Sequence, residues 1–385
     1  MKIKSIVKPV AVLGAFAVLM SAAGCADTSW SYKTKDKTLS NGTWIYYTYS
    51  ATNEAIQKYG EENKDDDGNS KTIKVSDSKF YDYKVEGKKM ADWIKNKAKQ
   101  RCLEALTVDK LLKENKVEYD KKPIEDYRKQ YISYMEKNGN DLFTTLGVST
   151  GTIADCSVVY PQLSNELFKY FYGKGGPKEV TDEQLKKFYT DNYTDYYYIP
   201  YTFTTTGSDG NKTDIEDSEK DKVKSNFGKY AKELNEGKKK TTDIDEEYKK
   251  DFEKEKSDSV SDTADLSKSS LPEKLQEAIK ALGSKKADVK EIDGVYYLIY
   301  KGDINEKAAK IKSTEDKDSS DSEQDTDAVS RETVLRAMKD DDYKSYLEEE
   351  CKKLKYDTND ACLSKYTVER TVDIVKNEEA KQASA

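Results

Sequence analysis

Apolar residues return at helical intervals through the front half of the chain. Met90, Trp93, Ile94, Ala98, Ala105, Val108, Leu111 and Leu112 share one broad stripe and predict a long amphipathic helix over 90–114. Trp44, Tyr47, Ala51 and Ala55 predict another; a strand fits its first residues nearly as well, and the continuation to Tyr59 decides for helix. Pro123 sits in the first turn of a third helix carrying Ile124, Tyr127, Tyr131 and Tyr134, whose tyrosines read as a partly buried face. A short helix at 142–147 with a glycine stop leads to a longer one over 150–172, with Leu163, Leu167, Phe168 and Phe171 inward. Thr181-Asp182-Glu183-Gln184 is a capping box, so a further helix starts there and turns Leu185, Phe188 and Tyr189 to one side. Residues 29–34 are strand-like, and the acidic stretch 61–70 is a loop.

The pattern changes at Tyr196. Residues 196–205 are β-branched and aromatic and predict a strand. Helices follow at 217–235, stopped by Gly237, and near 244–252. Residues 257–270 read as a Ser/Asp-rich loop, and Pro272 opens a helix through Leu275, Ala278, Ile279 and Leu282. Short strands at 289–292 and 295–300 flank Asp293-Gly294, the sharpest hairpin signal in the chain. Strand, helices and a closing hairpin predict a small α+β domain. Residues 313–327 are acidic and Ser-rich, with nothing to bury, and predict disorder. One more long helix, 329–354, stands beyond them and needs a partner; the helical front half is the economical one.

Composition narrows the chemistry. The 385 residues include no histidine, which removes Ser–His and Cys–His pairs and histidine metal sites. A net charge of −7 disfavours a nucleic-acid partner, because phosphate affinity comes from a concentrated basic face. The 29 tyrosines argue against a wholly disordered chain. Asn63, Asp65, Asp67 and Gly68 imitate the start of a calcium loop, but Lys74 stands at the twelfth position, where the loop needs Glu, so a solvated turn is expected. No metal or other cofactor is expected.

The first residues read as an address. Lys2, Lys4 and Lys8 precede an apolar run at 10–20 that is too short to span a bilayer, and small residues follow at once. Ala22-Ala23-Gly24-Cys25 looks like a bacterial lipobox, which predicts removal of residues 1–24 and diacylglycerol on Cys25. The expected location is the extracytoplasmic face of the bacterial membrane, anchored through that lipid. The other four cysteines, Cys102, Cys156, Cys351 and Cys362, read as small buried hydrophobes, with disulfides as the alternative in an exported chain.

Three stretches carry a family resemblance. The first is the helical stretch 127–196, with Leu142-Phe143, Leu146-Gly147-Val148 and Val180-Thr181-Asp182-Glu183-Gln184-Leu185-Lys186-Lys187-Phe188-Tyr189. The second is 196–300, with Pro272-Glu273-Lys274-Leu275-Gln276-Glu277-Ala278-Ile279 and Gly294-Val295-Tyr296-Tyr297-Leu298-Ile299-Tyr300; the third is the terminal helix. Together they resemble the parvulin-type foldase lipoproteins of the PrsA type and their periplasmic relatives of the SurA type. The resemblance implies a helical chaperone body at 25–195, an inserted parvulin-like domain at 196–305, an acidic linker at 306–328 and a helix at 329–385 returning to the body. It also implies unfolded exported polypeptides as partners, and leaves a homodimer open. Parvulins carry a histidine on the first and on the last strand of the domain; Thr202 and Tyr296 stand at those positions here. The family's Gly-Gly-Asp-Leu-Gly loop is reduced to Ala264-Asp265-Leu266-Ser267. The reading is therefore a domain that binds chains without isomerising them, with Tyr196, Tyr198, Tyr201, Phe203, Leu275 and Tyr296 as candidate peptide contacts. An active peptidyl-prolyl isomerase is the first alternative. A solute-binding lipoprotein is the second, disfavoured because no run of βα units surrounds a cleft.

Overall fold

The structure is a computed structural model that describes residues 25–65, 68–138, 143, 145–206, 212–312 and 329–383. The expected signal segment 1–24, and residues 313–328 of the expected linker, lie outside the described residues. The fold is α+β, and the chain divides into two compact units, Met1–Phe171 with Asp342–Ala385, and Tyr172–Asp341.

In the first unit the stripe periodicity is realised. Helices α1 (Asn41–Glu62) and α2 (Met90–Glu114) pack together and bury Trp44, Ile45, Ala51, Met90, Ile94 and Leu106. Ser40 caps α1, its hydroxyl accepting from the Thr43 amide. Thr48 and Thr52 are buried inside α1 yet satisfied, each donating its hydroxyl to the carbonyl four residues back. Helix α3 (Lys121–Asn138) follows, then α4 (Thr150–Ala154), a π turn (Asp155–Val159) and α5 (Tyr160–Tyr172). The predicted helix over 150–172 is thus present but interrupted by the π turn. The predicted helix at 142–147 falls partly on residues outside the described set; Gly147 does adopt the left-handed φ of +75° that its stop requires.

Strands β1 (Trp30–Lys33) and β2 (Thr38–Ser40) form a small sheet with β7 (Asp357–Thr358), in the order β7-β1-β2. Helix α10 (Arg331–Lys353) crosses from one unit to the other at Asp341/Asp342. Its later part belongs to the first unit, where the Tyr343 hydroxyl donates to the Ser164 carbonyl at 2.8 Å and the ring meets Phe168 edge-on. The helix expected over 329–385 stops at Lys353 and resumes as α11 (Val368–Ala383), which buries Val368, Val372 and Val375 in the same core as α1 and α2. Cys102, Cys156 and Cys362 are buried and Cys351 half-buried, all as free thiols.

The second unit opens with α6 (Asp182–Asn192), whose capping box forms as predicted between Thr181 and Gln184. Strand β3 (Thr194–Thr202), helices α7 (Asp217–Asn235) and α8 (Thr241–Asp251), strand β4 (Val260–Ala264), helix α9 (Glu273–Ala281) and strands β5 (Lys286–Ile292) and β6 (Val295–Lys301) follow. The strands form one antiparallel sheet in the order β4-β3-β6-β5. Asp293 and Gly294 both take positive φ, +52° and +79°, as a two-residue hairpin turn with matched twist demands.

Three expectations need correction. The stretch 257–270 is not all loop, because β4 pairs with β3 through five residue pairs from Thr194↔Ala264 to Tyr198↔Val260. A polar edge strand takes its order from backbone pairing with an aromatic neighbour, so its own side chains carry little signal. Residues 306–312 are not linker: a short helix, Ile304–Ala309, and a strand, Ile311–Lys312, precede the undescribed stretch, and that strand pairs in parallel with Val329–Ser330. The units divide at 171/172 and 341/342, where 195/196 and 328/329 were expected. The last of these follows from contacts such as Arg331, which donates to the Asp182 carboxylate at 2.9 Å and to the Val180 carbonyl at 2.7 Å, tying the start of α10 to the α6 end of its own unit.

Leu298 is fully buried on the central strand β6, whereas Val260, on the edge strand β4, is 37% exposed. Leu298→Ala is expected to destabilise the protein by roughly 2–5 kcal/mol and Val260→Ala by less than about 0.5 kcal/mol in urea denaturation. Equal midpoints for the two variants would contradict the assignment of the sheet's centre and edge.

Candidate functional site

Side chains alternate across β3, so its aromatic run serves two faces. Tyr197, Ile199 and Phe203 point with Leu298 into a core closed by Phe227, Tyr230 and Ala231 of α7 and by Ile244 and Tyr248 of α8. Tyr196 points the other way, into a core with Tyr297, Ile299, Leu266 and the α9 residues Leu275, Ala278 and Ile279; half-buried Tyr198 packs against it. Tyr197 thus turns away from Tyr196 and Tyr198.

The register separates the two positions expected to stand for the parvulin histidines. Tyr296 lies opposite Tyr201, and Thr202 lies opposite Val295. Directly paired residues share a face and neighbours along a strand do not, so Thr202 and Tyr296 sit on opposite faces of the sheet. Thr202 is exposed, while Tyr296 stacks on Phe203 at 5.3 Å and on Phe227 at 5.8 Å as part of the aromatic core. The six candidate peptide contacts likewise do not converge. Tyr201, Phe203 and Tyr296 belong to the α7/α8 side; Tyr196, Tyr198 and Leu275 belong to the α9 side. Tyr196, Phe203 and Leu275 are buried, so they hold the domain together and present little surface to a ligand.

Four tyrosine hydroxyls of the α7/α8 side go to carboxylates: Tyr197 to Asp245 at 2.8 Å, Tyr230 to Asp251 at 2.7 Å, Tyr248 to Asp258 at 2.9 Å and Tyr201 to Glu219 at 2.6 Å. Lys254 completes the group. Its ammonium donates to the Tyr248 hydroxyl at 3.0 Å, pairs with Asp258, and lies 5.4 Å and 5.2 Å from the ring centres of Tyr201 and Tyr248. Burial, and then the carboxylates beside them, push the Tyr197, Tyr230 and Tyr248 hydroxyls well above the ordinary tyrosine range, and Tyr201 up to about 12. For Asp258, burial works against the charge, but the hydrogen bonds from Lys254 and Tyr248 outweigh it and hold the carboxyl below its ordinary value.

An open surface exists elsewhere, on the first unit. Of α3 only Ile124 is buried, while Tyr127 and Tyr134 are 56% and 61% exposed. The expectation of a partly buried tyrosine face is corrected here, and holds only for the half-buried Tyr131. Tyr127, Gln130, Tyr131 and Tyr134, at helical spacing, form one wall of a broad-mouthed groove of about 420 Å³; Ser157, Val158 and Gln162 form the other. The volume falls within the roughly 300–1,000 Å³ usual for ligand sites. Ser157 and Val158 belong to the π turn, a distortion frequent at functional sites. The turn is pinned from both sides: Arg128 Nε donates to Asp155 Oδ1 at 2.6 Å, and the Tyr46 and Ser157 hydroxyls lie 2.7 Å apart.

Among the described residues, the hydroxyls of Tyr127, Tyr131 and Tyr134 and the amides of Gln130 and Gln162 have no hydrogen-bond partner in the protein. Among the described residues, no charged one lines the groove. Rings offering flat apolar area beside unpaired amides suit an uncharged, extended stretch of polypeptide, whose side chains meet the rings and whose peptide groups meet the amides. The helical spacing of the three tyrosines was visible in the sequence. What marked the face as open is that α3 places almost no aliphatic residue beside them.

Among the described residues, no cluster of acidic or thiol side chains is arranged to hold a metal, and no helix is long and apolar enough to cross a membrane. No family model and no curated protein matches the chain. Among solved structures, the crystal structure of foldase protein PrsA from Streptococcus pneumoniae str. Canada MDR_19A is a weak likeness. It is 17% identical, with 71% of this chain and 91% of that chain covered at a TM-score of 0.27.

The titrations give a two-sided prediction. A tyrosine whose pKa rises on folding stabilises the fold fully below its free value of 10.0, and that contribution fades as pH climbs through the folded value, about 12 for Tyr201. Asp258, lowered on folding, contributes above its free value of 3.8 and loses that contribution as pH falls through its lowered value. Tyrosinate absorbance of the native protein is expected to lag behind that of the urea-unfolded chain above pH 10. Superimposable titration curves for the two states would contradict the carboxylate pairing.

Proposed function

We propose that the chain is a membrane-tethered, extracytoplasmic chaperone that binds unfolded exported polypeptide in the α3/π-turn groove, and that its parvulin-like domain does not isomerise proline. The observation that carries the reading is the groove itself: three tyrosines and two glutamines, uncharged and without internal partners, on a surface that the fold of the first unit leaves open. Diacylglycerol on Cys25 would supply the tether, as the lipobox-like Ala22-Ala23-Gly24-Cys25 implies.

Two observations support the absence of catalysis. Rotating an X–Pro amide over a barrier of ~18–20 kcal/mol needs a cleft that strains or desolvates it. The chain has no histidine, and the two positions that stand for the family's histidines lie on opposite sides of one sheet, one in solvent and one in an aromatic core. A packed domain of this kind supports the tethered binder without turning substrate over.

Two measurements test the proposal. Suppression of aggregation by a denatured client is expected to weaken about tenfold or more in Tyr127→Ala/Tyr134→Ala, because truncating interfacial tyrosines at a hot spot costs more than about 1 kcal/mol each. Both rings are exposed, so the variant should keep its native unfolding midpoint. Undiminished suppression would remove the groove from the reading. A protease-coupled proline-peptide assay is expected to stay at the uncatalysed rate, and a rate above it that vanishes in Tyr296→Ala would show the domain to be an isomerase after all.

A further inference from the structure

The start of the expected mature chain is fastened to the body with no spacer. Cys25 opens a short 3-10 turn, Cys25–Thr28. The next residue, Ala26, is buried, and its amide donates to the Gly147 carbonyl at 3.2 Å. Asp27 is tied more firmly still. Its Oδ1 accepts the Ser40 hydroxyl at 3.0 Å and the Thr152 hydroxyl at 2.9 Å, and its Oδ2 accepts the Ser149 amide at 2.8 Å. A Cβ on Gly42 would collide with this carboxylate, so α1 is shaped around it. Ser149 is the N-cap of α4, and α4 runs without a break into the π turn that lines the groove. Thr152 and Val158 are six residues apart, about 9 Å at ~1.5 Å per helical residue.

We infer that the tether carries no slack: a bilayer that holds diacylated Cys25 holds the first unit against its headgroups, with Asp27 clamping the tail to the helix that carries one wall of the groove. The partner is the lipid surface, and the consequence is a client groove kept within one helix length of it. A flexible leader would instead let the body wander by roughly 5–6 Å times the square root of its length in residues. Asp27 is a positioning residue here; it is not a contact for client or lipid.

The inference rests on the lipoprotein reading, and one experiment separates their failures. The full-length acylated chain is reconstituted in a supported bilayer of phosphatidylethanolamine and phosphatidylglycerol and compared, by neutron reflectometry, with a variant carrying ten Gly/Ser residues inserted between Cys25 and Ala26. Native protein density is expected to begin at the headgroups, and the insertion to open a water layer of about 17 Å. An acylated native chain already showing such a layer, or profiles identical for the two proteins, would overturn the slack-free tether alone. A chain that is not retained, and whose N-terminal peptide lacks the diacyl mass, would overturn the lipoprotein reading and the tether with it. In the same bilayer Asp27→Ala is expected to stay bound but to exchange amide hydrogens faster at 26–28 and 149–154; unchanged exchange there would remove Asp27 as the clamp.

Discussion

A buried tyrosine brings a hydroxyl that must be paired, and a chain short of aliphatic residues and rich in tyrosine can close its cores only where those hydroxyls reach partners. The second unit meets this constraint by sending Tyr197, Tyr201, Tyr230 and Tyr248 to carboxylates at the margin of the sheet. Each ring lies inward and each oxygen reaches the rim, so the core is apolar at its centre and acidic at its edge. Lys254, set between two rings and an aspartate, offsets part of that charge. The same requirement explains the helices beside the sheet: Asp245 and Asp251 sit on α8 where the hydroxyls end, and Ile244 and Tyr248 of that helix fill the space beneath.

Much of this architecture was legible in the residues. The stripe from Met90 marked α2 to its last residue, the helix at 217–235 was bounded correctly, and Asp293-Gly294 marked the hairpin. Each of these rests on a local rule that the surrounding structure has no reason to override. Long-range pairing was not legible. Strand β4 is ordered by its neighbour, and α11 by three valines and Ile374, which pack against a core built by α1 and α2. The π turn left no trace in the spacing of Leu163, Leu167 and Phe168, because all three lie beyond it on regular helix.

The candidate site shows the same division. The tyrosines of β3 were found, but burial had the final word: rings that look adhesive in the sequence are spent on the domain's own interior. Those of α3 were found as well, and were assigned to the interior for want of evidence about their neighbours. Period alone does not say which stripe of a helix faces the core when the alternatives are both aromatic. The answer lies in what packs opposite, and for α3 that is a turn held by Arg128, Asp155 and Tyr46, residues far apart in the chain.

The widened turn at Asp155–Val159 also has a bearing on ancestry. A π turn takes up one residue more than an α turn without breaking the hydrogen-bonded rod, so an extra residue is lodged there with little rotation of the helix beyond it. Val158 stands in that turn and Gln162 shortly after it, on the groove wall, and Leu167 and Phe168 lie buried further along the same rod. A wide turn at this place lets the wall change in length while the buried stripe behind it keeps its facing.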